Sequence, residues 1–238
     1  MNRILPLRNR IQEYAWGSRS AIQDFLGLDD DARGRPMAEL WMGAHPSAPS
    51  LVGTGASWVP LDRVVEEDPE GILGPDAARG FRGKLPFLFK ILAAREPLSI
   101  QVHPGAEQAR TGFRRENEKG LALDHPARSY RDASHKPELL CALTRFHALK
   151  GFRPIEEILT LLGEIAPEGL AGEIRALRDR PGEEGLRDFV GSILGLSRER
   201  RRGLIREALR RTPGDDGEGP RSWVGRLATA FPEDAGVL

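Results

Sequence analysis

Two hydrophobic periods divide the chain near Phe152. Before it, apolar residues come in short runs broken by Gly and Pro. Residues 98–103, Leu-Ser-Ile-Gln-Val-His, alternate with the two-residue period of a β-strand that has unlike faces. Residues 138–143 and 146–152 read as two more strands, separated by Thr144-Arg145, a gap of hairpin length. Residues 85–93 form a further, mixed apolar stretch. Short strands between turn residues predict a sandwich or barrel rather than a parallel sheet, with helices near 61–67 and 106–117 decorating it. After Phe152 the helical period takes over. Pro154 sits where a first helical turn tolerates it, and Ile155, Ile158, Leu159, Leu162 and Ile165 follow at helical spacing. Leu170/Ile174/Leu177, Leu186/Phe189/Val190/Ile193 and Leu204/Ile205/Ala208/Leu209 mark three more helices. Ser197 and Ser222 are the expected N-caps, the second opening Trp223/Val224/Leu227/Phe231. Residues 213–220 predict a loop, and no internal repeat interrupts this order.

Composition narrows the function classes. The 238 residues hold 35 Lys+Arg and 35 Asp+Glu, so no net field draws in nucleic acid or an anionic membrane. The arginine run at 198–202 reads as the solvated start of an amphipathic helix. A single cysteine, Cys141, excludes a disulfide framework and a thiolate metal cluster, and in an alternating strand it is expected to be a small buried hydrophobe. Apolar runs are too short to span a bilayer, and the first residues hold no stretch of signal-peptide length, so a cytoplasmic protein is expected.

All five histidines precede Phe152, and one lies in the alternating run. Gln101 and His103 are two apart, so in a strand they project from one face with Ser99, while Ile100 and Val102 point into a core. An amide oxygen and an imidazole are competent ligands for a divalent metal; the same pattern also describes a polar edge strand. Tyr130-Arg131-Asp132-Ala133-Ser134-His135-Lys136-Pro137-Glu138 gathers acids, an imidazole and an ammonium in a loop entering a strand. There Glu138 can add the carboxylate of an N/O donor set, with His135 and Lys136 as candidates for proton transfer and anion binding. The competing description is a surface loop of solvated charges. His45 is expected to be structural rather than a ligand, His125 and His147 to be ordinary loop and strand residues, and Trp41 to line the core or a pocket wall.

Five segments carry a resemblance. Tyr14-Ala15-Trp16-Gly17-Ser18, Ala38-Glu39-Leu40-Trp41-Met42-Gly43-Ala44-His45-Pro46, Leu85-Pro86-Phe87-Leu88-Phe89-Lys90, Leu98-Ser99-Ile100-Gln101-Val102-His103-Pro104 and the loop at 130–138 occur in that order. Together they resemble type I mannose-6-phosphate isomerase (phosphomannose isomerase). The resemblance implies a mainly β plus α fold: a cupin (jelly-roll) β-barrel portion, residues 1–152, followed by a small all-helical domain, residues 153–238. It also implies a zinc-dependent aldose–ketose isomerase acting on mannose 6-phosphate and fructose 6-phosphate, a small phosphosugar, through an enediol. Gln101, His103 and Glu138 match three of the family's four metal ligands. Ser99, Lys90 and Lys136 match substrate-pocket positions, and His135 and Lys136 match residues of ring opening and proton transfer.

The sequence also departs from that pattern. The family's fourth ligand is a histidine on a barrel strand after the helical domain, and its substrate arginine lies further on. No histidine follows His147 here, so the expectation is an N-terminal portion without the remaining barrel half and C-terminal domain, binding Zn²⁺ through three ligands and isomerising poorly. The rival is a non-catalytic metal- or sugar-binding cupin fragment. A cupin oxygenase on iron fits less well, because a facial triad wants two His and one carboxylate rather than a Gln with Lys90 and Lys136 beside it.

Overall fold

The computed structural model describes residues 4–29, 34–55, 57–212 and 217–238. It is mixed α/β, with two compact units, Met1–Leu98 and Ser99–Leu238.

The first unit carries two three-stranded antiparallel sheets. One has the order β1 (Leu7–Arg8), β4 (Leu51–Gly53), β5 (Trp58–Pro60); the other β2 (Arg10–Gln12), β3 (Glu39–Met42), β6 (Phe89–Leu92). In the second, Ile11 pairs with Leu40 and Leu40 with Ile91, so one apolar residue from each strand forms a row. That row belongs to a core with Ile22, Met37, Met42 and Ala93. Ile22 comes from helix α1 (Ala21–Leu26), which stops at Gly27 in the left-handed conformation that glycine adopts without strain. Gly17 is required for another reason. A Cβ there would lie 2.6 Å from the Ala38 nitrogen, because isolated bridges join Gly17 to Ala94 and Ser18 to Met37. The Tyr14–Ser18 motif is thus a close crossing of backbones. Helices α2 (Leu61–Glu67), α3 (Pro69–Leu73) and α4 (Pro75–Gly80) follow, α3 capped by Asp68, whose side chain accepts the Gly71 N–H at 3.0 Å.

The second unit opens with an extended segment and helix α5 (Ala106–Glu118), then α6 (Ile155–Ile165), α7 (Ala171–Asp179), α8 (Glu183–Leu194), α9 (Arg198–Arg211) and α10 (Pro220–Ala230). The helical periods after Phe152 and the helices near 61–67 and 106–117 are all realised. Their apolar stripes meet in two clusters, one around Leu170, Ile174, Ile193 and Leu204, the other around Ile205, Ala228 and Val237. Ser197 caps α9 by accepting the Arg200 N–H. The arginine run is ion-paired rather than a free basic patch: Arg198 meets Glu233 at 2.9 Å, Arg202 also meets Glu233, and Arg200 meets Glu173 at 2.6 Å.

Several expectations are corrected. Residues 98–103, 138–143 and 146–152 form no strand. A strand exists only where a neighbour completes its ladder, and alternation names a face without supplying that neighbour. Ile100 and Val102, expected inward, are 70% and 86% exposed. Cys141 is exposed for the same reason. Ser222 does not cap α10 but is buried inside it; Gly219 is the cap and Pro220 opens the first turn, where its missing N–H costs nothing. Of the expected loop 213–220, residues 213–216 lie outside the described residues, and Pro220 belongs to the helix.

Candidate metal centre

In the second unit His103 and Glu138, 35 positions apart, come together: His103 Nε2 lies 3.6 Å from Glu138 Oε1. That is too long for a hydrogen bond. It matches two donors of one tetrahedral ion, which at zinc–ligand lengths of about 2.1 Å stand roughly 3.4 Å apart. The imidazole side chain is 33% exposed and the carboxylate 63%. Gln101 and Ser99 lie on the same exposed segment, two and four residues before His103. Among the described residues, no group of three or more His, Cys, Asp or Glu side chains forms a metal cage. The third ligand that the resemblance implies, the Gln101 amide oxygen, is of another kind. A set of imidazole nitrogen, carboxylate and amide oxygen fits a borderline divalent ion such as Zn²⁺.

Lys136 is held within its own loop. Its Nζ donates to Asp132 Oδ2 at 2.7 Å, while Asp132 Oδ1 accepts the Ser134 N–H at 2.8 Å. One carboxylate therefore sets both the turn and the ammonium it carries. His135, beside Lys136, is exposed. Lys90 belongs to β6 in the first unit, opposite Trp41. Its Nζ lies 3.4 Å from Glu39 Oε2 and 5.1 Å from the Trp41 ring centroid, and the Trp41 indole N–H donates to the same Glu39 oxygen at 2.6 Å. Near that group, burial and then the Glu39 charge push the Tyr14 phenol above its usual range. His45 is exposed; its Nδ1 accepts the Ser47 N–H and its ring stands edge-on to Trp41.

Residue spacing points to none of the groups that hold the chain at Ser129 and Tyr130, ahead of the Lys136–Glu138 loop. Glu116, near the end of α5, accepts the Tyr130 N–H at 2.8 Å and the Ser129 N–H at 3.2 Å. Chiefly the Tyr130 N–H, aided by that of Ser129 and by Arg128 and Arg115, holds the Glu116 carboxyl below the usual range, against the opposing push of burial. Arg128 donates to the Tyr130 carbonyl at 2.8 Å, to the Leu121 carbonyl and to Asn117 Oδ1 at 2.6 Å. An acid on a polar helix and an arginine in a loop look like surface charges, and no motif joins them.

The sequence model of the phosphomannose isomerase type I catalytic domain matches residues 4–155. This chain belongs to that family. The mannose-6-phosphate isomerase of Escherichia coli K12 is 40% identical over 236 residues, covering 98% of this chain and 58% of the relative. The human mannose-6-phosphate isomerase is 42% identical over 171 residues, 68% of this chain and 38% of its own. Among solved structures, mannose 6-phosphate isomerase from Salmonella typhimurium bound to substrate F6P and zinc superposes with a TM-score of 0.84 at 37% identity, covering 98% of this chain and 58% of that one. A zinc-bound holo mannose 6-phosphate isomerase gives 0.85, with the same identity and coverage. The chain thus spans 58% of the length of the bacterial relative and of both solved phosphomannose isomerases it matches.

Proposed function

We propose that the chain carries the metal-binding part of a zinc-dependent isomerase that interconverts mannose 6-phosphate and fructose 6-phosphate through an enediol. The observation that carries the reading is the 3.6 Å approach of His103 Nε2 to Glu138 Oε1, inside a chain of the phosphomannose isomerase type I family. Gln101, His103 and Glu138 would hold the ion. Zinc bound there supplies a Lewis acid that polarises and orients sugar oxygens. Lys136 takes and returns the proton that moves between C2 and C1, with Asp132 fixing where its nitrogen stands. His135 assists ring opening, and Ser99, Lys90 and Lys136 serve the phosphosugar, whose dianion suits two cations and a hydroxyl.

The same reading makes residues 1–152 the catalytic portion of a cupin barrel and 153–238 a helical domain. Its support is that the family match ends at residue 155, where α6 begins. A lone, exposed Cys141 suits a reducing compartment, the cytoplasm.

A second reading is favoured by exposure. With the Glu138 side chain 63% exposed, the centre described is open, whereas enediol chemistry wants water kept away. A chain in that state binds metal or sugar phosphate without turning it over. A coupled assay with mannose 6-phosphate, run with and without Zn²⁺, separates the two. Zinc-dependent conversion, with exchange of the substrate C2 proton lost in Lys136→Met, supports the isomerase. Zinc binding without conversion or exchange supports the second reading.

A further inference from the structure

We infer that Glu116 and Arg128 are positioning residues for the metal centre: a buried ion pair at the end of α5 fixes the chain that delivers Lys136 and Glu138. The inference rests on the metal reading above, whose chemistry uses neither residue.

The Arg128 and Glu116 side chains are only 1% and 9% exposed, and Arg128 Nε lies 3.8 Å from Glu116 Oε2. Burying two charges is costly, and an apolar pair of similar volume often stabilises as well, so stability alone gives no reason for ions here. What an apolar pair cannot do is hold a particular peptide. The Tyr130 peptide nitrogen donates to Glu116 and the Tyr130 carbonyl accepts from Arg128, so this residue is gripped at both of its backbone polar groups. The Tyr130 ring closes on Gly112 of α5, where a Cβ would sit 2.5 Å from it. Two residues further, Asp132 organises Ser134 and Lys136.

The other end of α5 carries the partner donor. His103 stands two residues before Gly105, the N-cap, whose N–H donates to Gln108 Oε1 at 3.0 Å. One helix therefore references both segments, and its C-terminal ion pair sets where Glu138 meets His103.

The test compares Glu116→Gln, Arg128→Lys and Gly112→Ala with the parent chain, and with Leu177→Ala, a core change in the same unit that lowers stability without touching the loop. Zinc affinity is measured by competition with a chromophoric chelator, and amide hydrogen exchange is followed on the metal-free chains. Removal of outer partners should weaken zinc binding by roughly 10- to 100-fold, with Leu177→Ala within about 2-fold of the parent. Exchange at Ser129, Tyr130 and Ser134 should quicken by about 10-fold in Glu116→Gln. Gly112→Ala keeps both charges and displaces only the Tyr130 ring, so it reads the same coupling should Glu116→Gln fail to fold. Folded loop variants with parental zinc affinity overturn the inference, as does a Leu177→Ala loss equal to theirs. A parent without zinc affinity sinks the metal reading by itself. Exchange then decides: faster exchange in the variants upholds the anchor, unchanged exchange overturns it.

Discussion

In the β2–β3–β6 sheet, Ile11, Leu40 and Ile91 stand in register and pack on Ile22 and Met37. In residues 98–103 the side chains alternate, and residues 138–143 and 146–152 are rich in apolar positions, yet Val102, Leu139 and Leu149 are 86%, 99% and 84% exposed. The first region has hydrogen-bonded neighbours on both sides of β3; the second has none among the described residues. The difference teaches that pairing, rather than pattern, turns apolar alternation into stability. It also separates the proposed site residues. Lys90 sits on a laddered strand with its charge met by Glu39, whereas His103 and Glu138 sit on unladdered chain.

The sharpest way to break this contrast is to truncate one residue from each region. Leu40→Ala, at a site 5% exposed, should cost about 2–5 kcal/mol in urea unfolding, from lost burial and the cavity left behind. Val102→Ala should stay within about 0.5 kcal/mol of the parent. Equal losses at the two sites would show that the 98–103 segment is packed after all.

A smaller effect sharpens the helical side. Ser197→Ala removes the acceptor for the Arg200 N–H and should cost about 1 kcal/mol, read as a drop in melting temperature. No change would mean that water caps α9 equally well.

The smallest effect depends on pH. Hydrogen bonds from Arg202 and then Arg198 hold the Glu233 carboxyl below its ordinary value of 4.5. Its folded-state value is depressed, so its stabilisation is present above that ordinary value and is lost as pH falls through the lower, folded one. Glu233→Gln should therefore lower the melting temperature at pH 7 and converge with the parent once the pH has fallen below the folded-state value. With the Glu233 side chain 45% exposed, solvent screening keeps the gap small. A gap that persists in acid would assign the effect to packing.

Much of this was legible in the sequence, for physical reasons. The helices from Ile155 to Ala230 complete their own hydrogen bonds, so the spacing of Ile158, Leu162, Ile174 and Leu204 announces them. The strands of the first unit are two to four residues long, too short for alternation to register, and only the 85–93 stretch hinted at β6. Ser222 misled as a cap because Gly219-Pro220 opens the helix by another device. At the centre, His103 and Glu138 were readable as donors and do meet. Glu116 and Arg128 were not, because their task is to hold the Tyr130 backbone, and a backbone partner leaves no mark on residue type.

Zinc K-edge X-ray absorption, on the chain loaded with one equivalent of Zn²⁺, addresses the centre itself. The account predicts a nitrogen/oxygen shell near 2.0–2.2 Å, with imidazole scattering that disappears in His103→Ala. A sulfur shell near 2.3 Å, as Cys141 would supply, or imidazole scattering that survives in His103→Ala, would contradict it.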